Sequence, residues 1–303
     1  MITVAICTYN RALSLARALD SLTRLSRGGE NLTWELIVVD NNSTDDTRSV
    51  VDGFAAVLPV RYVFEPEQGL SAARNRALRE FRGEVLVFTD DDVVVDAQWL
   101  AAYAAAVTAY PRAGYFGGRV VPFYPDGRPG WLRDESEQLA LIDGLLVRFH
   151  LGEAVRPFQV REPTPFGASF ALRRALIERI GEFRRDLGVT GNIPGRGEEA
   201  DYLERAIAAG ASGVYVGTAI VNHATDLRRL TLPYLYRYGQ QKGVAAHRMG
   251  VGERGSLDAA ALYVVRGLGQ LAKGRGDRFR QCVINCGIQM ALWREGRKRA
   301  ASP

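Results

Sequence analysis

The feature that most constrains this chain is residues 85–92, where a short apolar run leads directly into three aspartates. The run 85–88 predicts a strand that is buried on both of its faces. In an open α/β sheet, ligands bind beyond the carboxyl ends of the strands, so Asp90, Asp91 and Asp92 would lie at a ligand site. Their carboxylates suit Mg²⁺ or Mn²⁺, which in turn suits a substrate phosphate. The alternative is a helix N-cap or an Asx-turn, for which one or two aspartates are enough.

Further apolar runs alternate with helical patterns along the first ninety residues. Runs at residues 2–7, 36–39 and 60–64 predict strands, and the segments between them have the spacing of helices. Asn10 is a candidate N-cap for the first of these helices. This alternation indicates right-handed βαβ units and a Rossmann-like, mostly parallel α/β sheet flanked by helices. Polar residues at the strand ends would then meet along one edge of the sheet and form a nucleotide-sized site.

Two common nucleotide-binding motifs are absent from the sequence. There is no GxxxxGK[ST], and no GxGxxG follows the first predicted strand. Asp40, after the second strand, could bond a ribose as in dinucleotide folds, but the glycines of those folds are missing.

The net charge of +5 is unevenly distributed along the 303 residues. Between Arg266 and Arg299 there are nine Lys or Arg and two acids, a balance of +7, which leaves −2 for the rest of the chain. The main domain therefore lacks the basic footprint of a nucleic-acid-binding protein, and we expect no nucleic-acid partner. Three cysteines, no signal-like N-terminus and no long apolar run together predict a cytoplasmic protein.

Four motifs follow one another in the first third of the chain: VAICTYNR at 4–11, VVDNNSTD at 38–45, GLSAARN at 69–75 and TDDD at 89–92. Together, in this order, they resemble the successive signatures of family 2 glycosyltransferases, which have the GT-A fold. The resemblance extends over about residues 2–240 through GASF at 167–170, GEF at 181–183, GEEAD at 197–201 and His223. It implies a nucleotide-sugar as donor and a divalent cation, Mg²⁺ or Mn²⁺, as cofactor.

The resemblance also implies roles for individual residues. Thr8 and Asn10 would line the nucleotide pocket, Asp40 would accept a hydrogen bond from the base, and Arg74 would lie near the base or ribose. The full set of implied nucleotide-binding residues is Thr8, Asn10, Asp40, Gly69, Arg74, Asp90 and Asp91. A turn with a helix cap is the alternative for Thr8 and Asn10, and a solvated helix charge is the alternative for Arg74.

The metal ligands implied by the resemblance are Asp92 and His223. Asp92 would hold the cation that bridges the donor diphosphate, and this cation would stabilise the charge of the departing group. His223 follows a predicted strand, and a histidine near this place helps to hold the metal or the diphosphate in several family members. The alternative is a histidine with a purely structural role.

The catalytic base would come from a predicted helix that begins near Glu198. Glu198, Glu199 and Asp201 are the candidates, and neighbouring residues on a helix point about 100° apart, so Glu198 and Glu199 cannot both face the reacting carbon. Glu199 stands where the family carries the aspartate of a Glu-Asp pair. The alternative is that all three acids only complement the helix dipole. The glycine-rich residues 188–197 before this helix predict a mobile loop that closes over the substrates.

Besides Glu199 in the Glu-Asp pair, the chain departs from the family pattern at two further places. Ser169 stands where many relatives carry Asn, which leaves donor-sugar recognition open. Residues 122–165 match no known motif, and we expect them to shape the site of an acceptor that the sequence does not identify, whether glycan, lipid-linked or small molecule.

The predicted organisation is a GT-A domain over residues 1–230 and a helical, basic C-terminal extension over residues 231–303. The predicted function is metal-dependent, inverting transfer of a sugar, with UDP expected as carrier and dTDP or GDP as alternatives. A non-catalytic nucleotide-sugar-binding scaffold and a sugar-nucleotidyltransferase are the competing hypotheses. In the extension, residues 279–299 predict an amphipathic basic helix, which either contacts the inner face of a membrane or packs on the domain.

Overall fold

The computed structural model describes residues 1–26, 32–125, 127–132, 140–189, 197–250 and 255–300. Most of the loop that is predicted to close over the substrates lies outside these residues. The described residues fall into two compact units. The first unit lies within Met1–Val121, Phe149–Ile193 and Glu198–His223, and the second lies within Pro122–Arg148, Pro194–Gly197 and Ala224–Pro303. The domain boundary at residue 230 stays a prediction.

One sheet contains nine strands among the described residues. The strands are β1 (Ile2–Thr8), β2 (Trp34–Asp40), β3 (Val60–Phe64), β4 (Val85–Asp90), β5 (Val93–Val95), β6 (Tyr115–Phe123), β7 (Val155–Pro157), β8 (Ser169–Arg173) and β9 (Gly213–Ala224). Their order is β3-β2-β1-β4-β8-β6-β9-β5, and β7 pairs with β9. The strands β3-β2-β1-β4 are parallel, whereas β8 is antiparallel to both β4 and β6.

The helices are α1 (Ala12–Thr23), α2 (Thr47–Phe54), α3 (Leu70–Glu80), α4 (Trp99–Ala109), α5 (Ala140–Leu146), α6 (Arg174–Ile180), α7 (Glu198–Ala208), α8 (Leu232–Met249), α9 (Leu257–Ala272) and α10 (Gly276–Ala300). The α/β sheet with flanking helices and the C-terminal helices α8–α10 were predicted from the sequence, and both are confirmed. None of the helices, as far as the structure describes them, is long and apolar enough to cross a membrane.

The central parallel strands are buried on both faces, as their unbroken apolar runs predict. In β4, residues 85–89 are all buried, and in β1 residues 2–6 are buried. Burying one Val, Leu or Ile side chain contributes roughly 1.5–3 kcal/mol, so burial of these strands stabilises the centre of the sheet. Their carboxyl ends are thereby fixed side by side.

The C-terminal helices pack closely because glycines line their contact. A Cβ atom on Gly239 of α8 would overlap the backbone carbonyl of Ile284 in α10, and one on Gly243 would overlap that of Ile288. Leu235, Tyr238 and Ile284 belong to one buried apolar cluster there. Helices α8 and α10 therefore approach closely enough for their backbones to be in contact.

The apolar face predicted for the last helix is partly covered by its neighbours. The residues of this face are Phe279, Cys282, Val283, Cys286, Met290 and Trp293, and all of them are half-buried. Cys282 and Phe279 lie against Gly267 of α9, and Trp293 lies against Gly255. The packing of α8 and α9 thus accounts for much of this amphipathic pattern, and membrane contact by α10 stays a prediction.

Candidate functional site

The carboxyl ends of β1, β2 and β4 bring the predicted polar residues together. Thr8 is in register with Asp40 of β2, and Cys7 is in register with Asp90 of β4. Because these parallel strands are neighbours, the residues that follow them share one edge of the sheet. The site predicted from the strand ends is therefore assembled by the sheet itself.

A potential metal-binding group lies at this edge and consists of Asp90, Asp92 and His223. Each side chain offers one ligand atom, and these atoms all lie within 4.8 Å of one another. His223 reaches the group because β9 pairs with β5 and places it opposite Val93. Its Nε2 atom lies 3.3 Å from Oδ1 of Asp92. Two carboxylates and an imidazole form a donor set that fits Mn²⁺ or Mg²⁺.

The electrostatics of the group also favour a cation. Burial, and then the neighbouring Asp92 carboxylate, raise the pKa of Asp90 to about 6. The Nδ1 atom of His223 is buried, and no hydrogen-bond partner for it occurs in the described part of the chain. An added positive charge would relieve the repulsion between the two carboxylates. Asp90, which the resemblance placed among the nucleotide-binding residues, thus lies beside the predicted ligands Asp92 and His223.

Asp91 is held by two residues of the first strand and its following turn. The hydroxyl of Thr8 donates to Oδ2 of Asp91 over 2.7 Å. Nη1 of Arg11 donates to Oδ1 of Asp91 over 2.8 Å and to Oδ2 of Asp92 over 2.9 Å. Burial raises the pKa of Asp91, and the Arg11 guanidinium opposes that rise. Arg11 was not assigned from the sequence, although its position directly after Asn10 in the first motif was a signal for it.

Asn10 does not cap the first helix, so that prediction was wrong. The N-cap residue of α1 is Arg11, while Asn10 has φ of 51° in the left-handed region. Its side-chain oxygen accepts from the backbone N–H of Thr44 over 2.7 Å, and its own N–H donates to Oγ of Ser43 over 2.9 Å. Because its amide oxygen is used in this way, Asn10 links the loops that follow β1 and β2.

Asp40 is buried at the end of β2 and accepts two hydrogen bonds. The hydroxyl of Tyr62 donates to Oδ2 over 2.6 Å, and the backbone N–H of Ser43 donates to Oδ1 over 2.9 Å. Burial and this bond raise the pKa of Tyr62 to about 12. Each carboxylate oxygen can accept a second hydrogen bond, so Asp40 can still accept a hydrogen bond from the base of a nucleotide.

The loop before α3 is tied to the end of β2 through Asn41. Its Oδ1 atom accepts from the backbone N–H of Gly69 over 2.7 Å, and its Nδ2 atom donates to the carbonyl of Glu67 over 2.6 Å. Gly69 has φ of 142°, a conformation that favours glycine. The predicted residue Gly69 thus shapes the entry into α3, and Asn41 is a buried positioning residue that carried no assigned role.

Arg74 connects α3 with the acids at the start of α7. Its Nη1 atom lies 2.7 Å from Oε1 of Glu198 and 3.5 Å from Oε2 of Glu199. A Cβ atom on Gly167 would overlap the guanidinium, so this glycine gives it room. Burial and Glu199 raise the pKa of Glu198 to about 8, and Arg74 opposes that rise. Arg74 was expected near the nucleotide base or the ribose. In the structure it contacts Glu198 and Glu199, two candidates for the catalytic base.

The three acids of α7 have different surroundings. The side chains of Glu198 and Asp201 are 5% and 8% exposed, whereas that of Glu199 is 23% exposed. Asp201 accepts from Nε of Arg205 over 2.9 Å and from Nη1 of Arg184 over 3.3 Å. Of the three carboxylates, Glu199 is thus the one most accessible to a substrate.

Ser169, the residue at which the family pattern changes, is fully buried under α4. Its hydroxyl accepts from Nε1 of Trp99 over 3.0 Å and bonds to the hydroxyl of Tyr103 over 2.9 Å. These contacts tie β8 to α4. The presence of serine at position 169 is therefore explained by its role in packing β8 against α4.

Comparison with known proteins agrees with this geometry. The family model described as "Glycosyl transferase family 2" matches residues 3–181, more than half of the chain. The chain is 28% identical to the succinoglycan biosynthesis protein ExoM of Rhizobium meliloti over 249 residues, which are 80% of this chain and 74% of that protein.

Two solved structures show the same fold. The mannosyltransferase PcManGT from Pyrobaculum calidifontis, in complex with GDP-Man and Mn²⁺, superposes with a TM-score of 0.63 at 22% identity, over 97% of this chain and 87% of that one. S. aureus TarS 1-349 in complex with UDP-GlcNAc gives a TM-score of 0.54 at 14% identity, over 98% and 92% of the two chains. The GT-A-like fold predicted for this chain is therefore confirmed.

Proposed function

This chain belongs to glycosyl transferase family 2 and is a glycosyltransferase, and we propose that it performs metal-dependent, inverting transfer from a nucleotide-sugar to an acceptor hydroxyl. The observation that carries the proposal is the group formed by Asp90, Asp92 and His223 at the carboxyl end of β4. These side chains would hold Mn²⁺ or Mg²⁺ against the donor diphosphate. When bound, the cation supplies charge stabilisation to the departing nucleoside diphosphate.

Glu199 acts in this proposal as the general base. The acceptor oxygen forms a bond to the anomeric carbon while the bond from that carbon to the diphosphate oxygen breaks on the opposite face. The acceptor proton passes to the Glu199 carboxylate as the new bond forms. Two observations support Glu199: it is more exposed than Glu198 and Asp201, and Arg74 lies 3.5 Å from its Oε2 atom.

The nucleotide would occupy the ends of β1 and β2. Asp40 can accept a hydrogen bond from the nucleotide base. Asn10 holds the loop that follows β2, and Asn41 holds the loop before α3. UDP is the carrier that we expect, with dTDP and GDP as alternatives, and the similar structures contain both a UDP-sugar and GDP-Man. A cytoplasmic location and contact of α10 with a membrane surface also stay predictions.

A donor screen tests the proposal. The full chain is heated with UDP-, dTDP- and GDP-sugars, each with Mn²⁺ or with EDTA, and compared with Asp92→Ala and the exposed control Asp52→Ala. One donor class at 100 times its dissociation constant should stabilise the native state by about 2.7 kcal/mol, and only with metal. Wild type and the control should be stabilised equally. Asp92→Ala should lose the part of this stabilisation that depends on metal.

Two outcomes would contradict the proposal. If no nucleotide-sugar stabilises the wild-type chain in the presence of Mn²⁺, the site does not bind such a donor. If the donor binds and no acceptor or water receives the sugar, the site binds a donor without carrying out the proposed transfer. For an active pairing, the anomeric configuration of the product, measured by NMR, decides whether transfer proceeds with inversion.

A further inference from the structure

Helix α9 presents large apolar side chains to solvent. Six of them are 46–66% exposed, namely Leu257, Leu262, Val264, Val265, Leu268 and Leu271. The covered side of the helix is the adjacent one, where Ala260 and Gly267 are buried three or four residues away from Leu257, Val264 and Leu271. Gly267 lies against Cys282 and Phe279 of α10. The apolar surface of α9 therefore begins beside the face that packs in the protein and continues away from it into solvent.

The exposed apolar residues form one continuous stripe. Leu257, Val264, Leu268 and Leu271 stand at positions i, i+7, i+11 and i+14, which share one side of an α-helix. Val265 and then Leu262 extend this stripe around the helix in steps of about 60°, so that Leu262 forms its edge. Single exposed apolar residues are common on soluble proteins, whereas a contiguous stripe marks a contact surface.

Basic residues border the stripe. Arg266 and Lys273 are seven residues apart and therefore lie on one side of the helix, next to Leu262. Arg275 follows the end of α9, Arg278 lies in the first turn of α10, and all four basic residues are exposed. The acids in this stretch are Asp258 and Asp277. The stripe thus combines apolar area with a surplus of positive charge.

We propose that α9 is a membrane-contacting helix that lies in the plane of an anionic lipid bilayer. Its apolar stripe enters the boundary between headgroups and acyl chains, while the long stems of Arg266 and Lys273 let their charges reach lipid phosphates. Each basic residue near an anionic surface strengthens binding by about fivefold. The inference concerns a different helix from the one expected from the sequence, and it does not depend on the donor or the reaction.

Charge favours a bilayer over a second copy of this chain as the occupant of the stripe. Two α9 helices packed through their stripes would leave Arg266 and Lys273 at the outer edge of the contact, where these charges stay in solvent. Anionic headgroups instead attract the same residues, and a bilayer accepts the apolar stripe along its full length.

Vesicle flotation tests the proposal with the full chain and without donor or metal. Vesicles of phosphatidylcholine alone are compared with vesicles that contain phosphatidylglycerol, at low salt and at about 0.5 M salt, where charge is strongly screened. The wild-type chain should float with the anionic vesicles at low salt. Its partitioning should fall at least tenfold on neutral vesicles or at high salt.

Three double variants separate the contribution of apolar area to vesicle binding from that of charge. Val265→Ser with Leu268→Ser removes apolar area without adding charge and should lower partitioning at least tenfold. Lys273→Gln with Arg275→Gln should lower it about 25-fold on anionic vesicles and little on neutral ones. The control, Val57→Ser with Val160→Ser, makes the same kind of change at exposed residues elsewhere and should float like wild type. Thermal melting confirms that each variant is folded.

The proposal is overturned if the wild-type chain does not float, or if the control variant loses as much partitioning as the α9 variants. It is also overturned if sedimentation velocity shows a dimer in the absence of lipid that Val265→Ser with Leu268→Ser dissociates. In that case α9 binds a second copy of the chain. Because donor binding is measured separately by thermal shift, failure of flotation leaves the proposed transferase activity intact.

Discussion

The end of β4 and the surface of α9 depart from ordinary burial in opposite directions. At the end of β4, polar and charged groups are buried and bonded to one another, as in Thr8 with Asp91. On α9, leucine and valine side chains remain exposed although α10 packs close by. Buried charge and exposed apolar area both work against stability. Each region is therefore better explained by something that it binds than by the fold alone.

The difference lies in how each region is organised. The site residues come from distant parts of the chain and depend on exact geometry, because carboxylates must converge on one position to hold a cation. The stripe on α9 comes from a single helix and depends only on its spacing and exposed area. Substitutions at the site should therefore have large, residue-specific effects, whereas those on the helices should have graded ones.

The largest effect is expected for Asp92→Ala. This change removes one ligand of the group with Asp90 and His223, and metal stabilisation of a leaving group contributes several kcal/mol. Transfer should fall by about 10³-fold or more, and titration calorimetry of UDP should lose the enhancement by Mn²⁺. Asp52→Ala serves as control, because Asp52 is an exposed aspartate paired with Arg48. An equal metal enhancement in wild type and Asp92→Ala would refute the ligand assignment.

The next largest effect is expected for Glu199→Gln. Loss of a general base lowers turnover by about 10²- to 10⁴-fold, while donor and metal binding should stay normal because the amide has nearly the same shape. Turnover and calorimetric binding are measured together. Glu198→Gln and Asp201→Asn are the matched variants. If one of these abolishes turnover with normal donor binding and Glu199→Gln does not, the base is assigned to the wrong residue.

A moderate effect on stability is expected for Gly239→Ala in the C-terminal helices. The added methyl group would meet the backbone carbonyl of Ile284, which cannot move aside as a flexible side chain could. Overpacking of this kind costs about 1–3 kcal/mol, measured by urea denaturation. Gly53→Ala is the control, because Gly53 lies in α2 with no atom within 4 Å of the added Cβ. It should be neutral or stabilising, and a loss of stability equal to that of Gly239→Ala would contradict close packing.

The smallest effect is expected for Arg11→Ala. Arg11 contributes a positive charge 2.9 Å from Asp92, and a cation bound there would be repelled by it. Removing this charge should tighten Mn²⁺ binding on the order of tenfold, as measured by calorimetry, because the guanidinium is partly exposed and its field is screened. Arg17→Ala on the exposed side of α1 is the control. Weaker Mn²⁺ binding in Arg11→Ala would show instead that Arg11 orients the carboxylates.

The first four strands and the location of the site follow from local sequence patterns. Apolar runs with polar residues at their ends determine where strands stop, and the right-handed connection between parallel strands determines that their ends align. For this reason the Asp90–Asp92 cluster, Asp40 and the α/β alternation could be placed from the sequence. The antiparallel strand β8, inserted between β4 and β6, has no comparable local signal.

The partners of individual side chains were decided only by the tertiary structure. Arg74 meets Glu198, and Ser169 meets Trp99 and Tyr103, through contacts between residues far apart in the chain. The amphipathic sequence pattern of α10 likewise indicates that one face of the helix is covered. It does not indicate what covers that face. The fold covers much of it with α8 and α9 and leaves the stripe on α9 exposed. A periodic pattern specifies which face of a helix is apolar, but long-range packing decides which apolar faces find a partner within the chain.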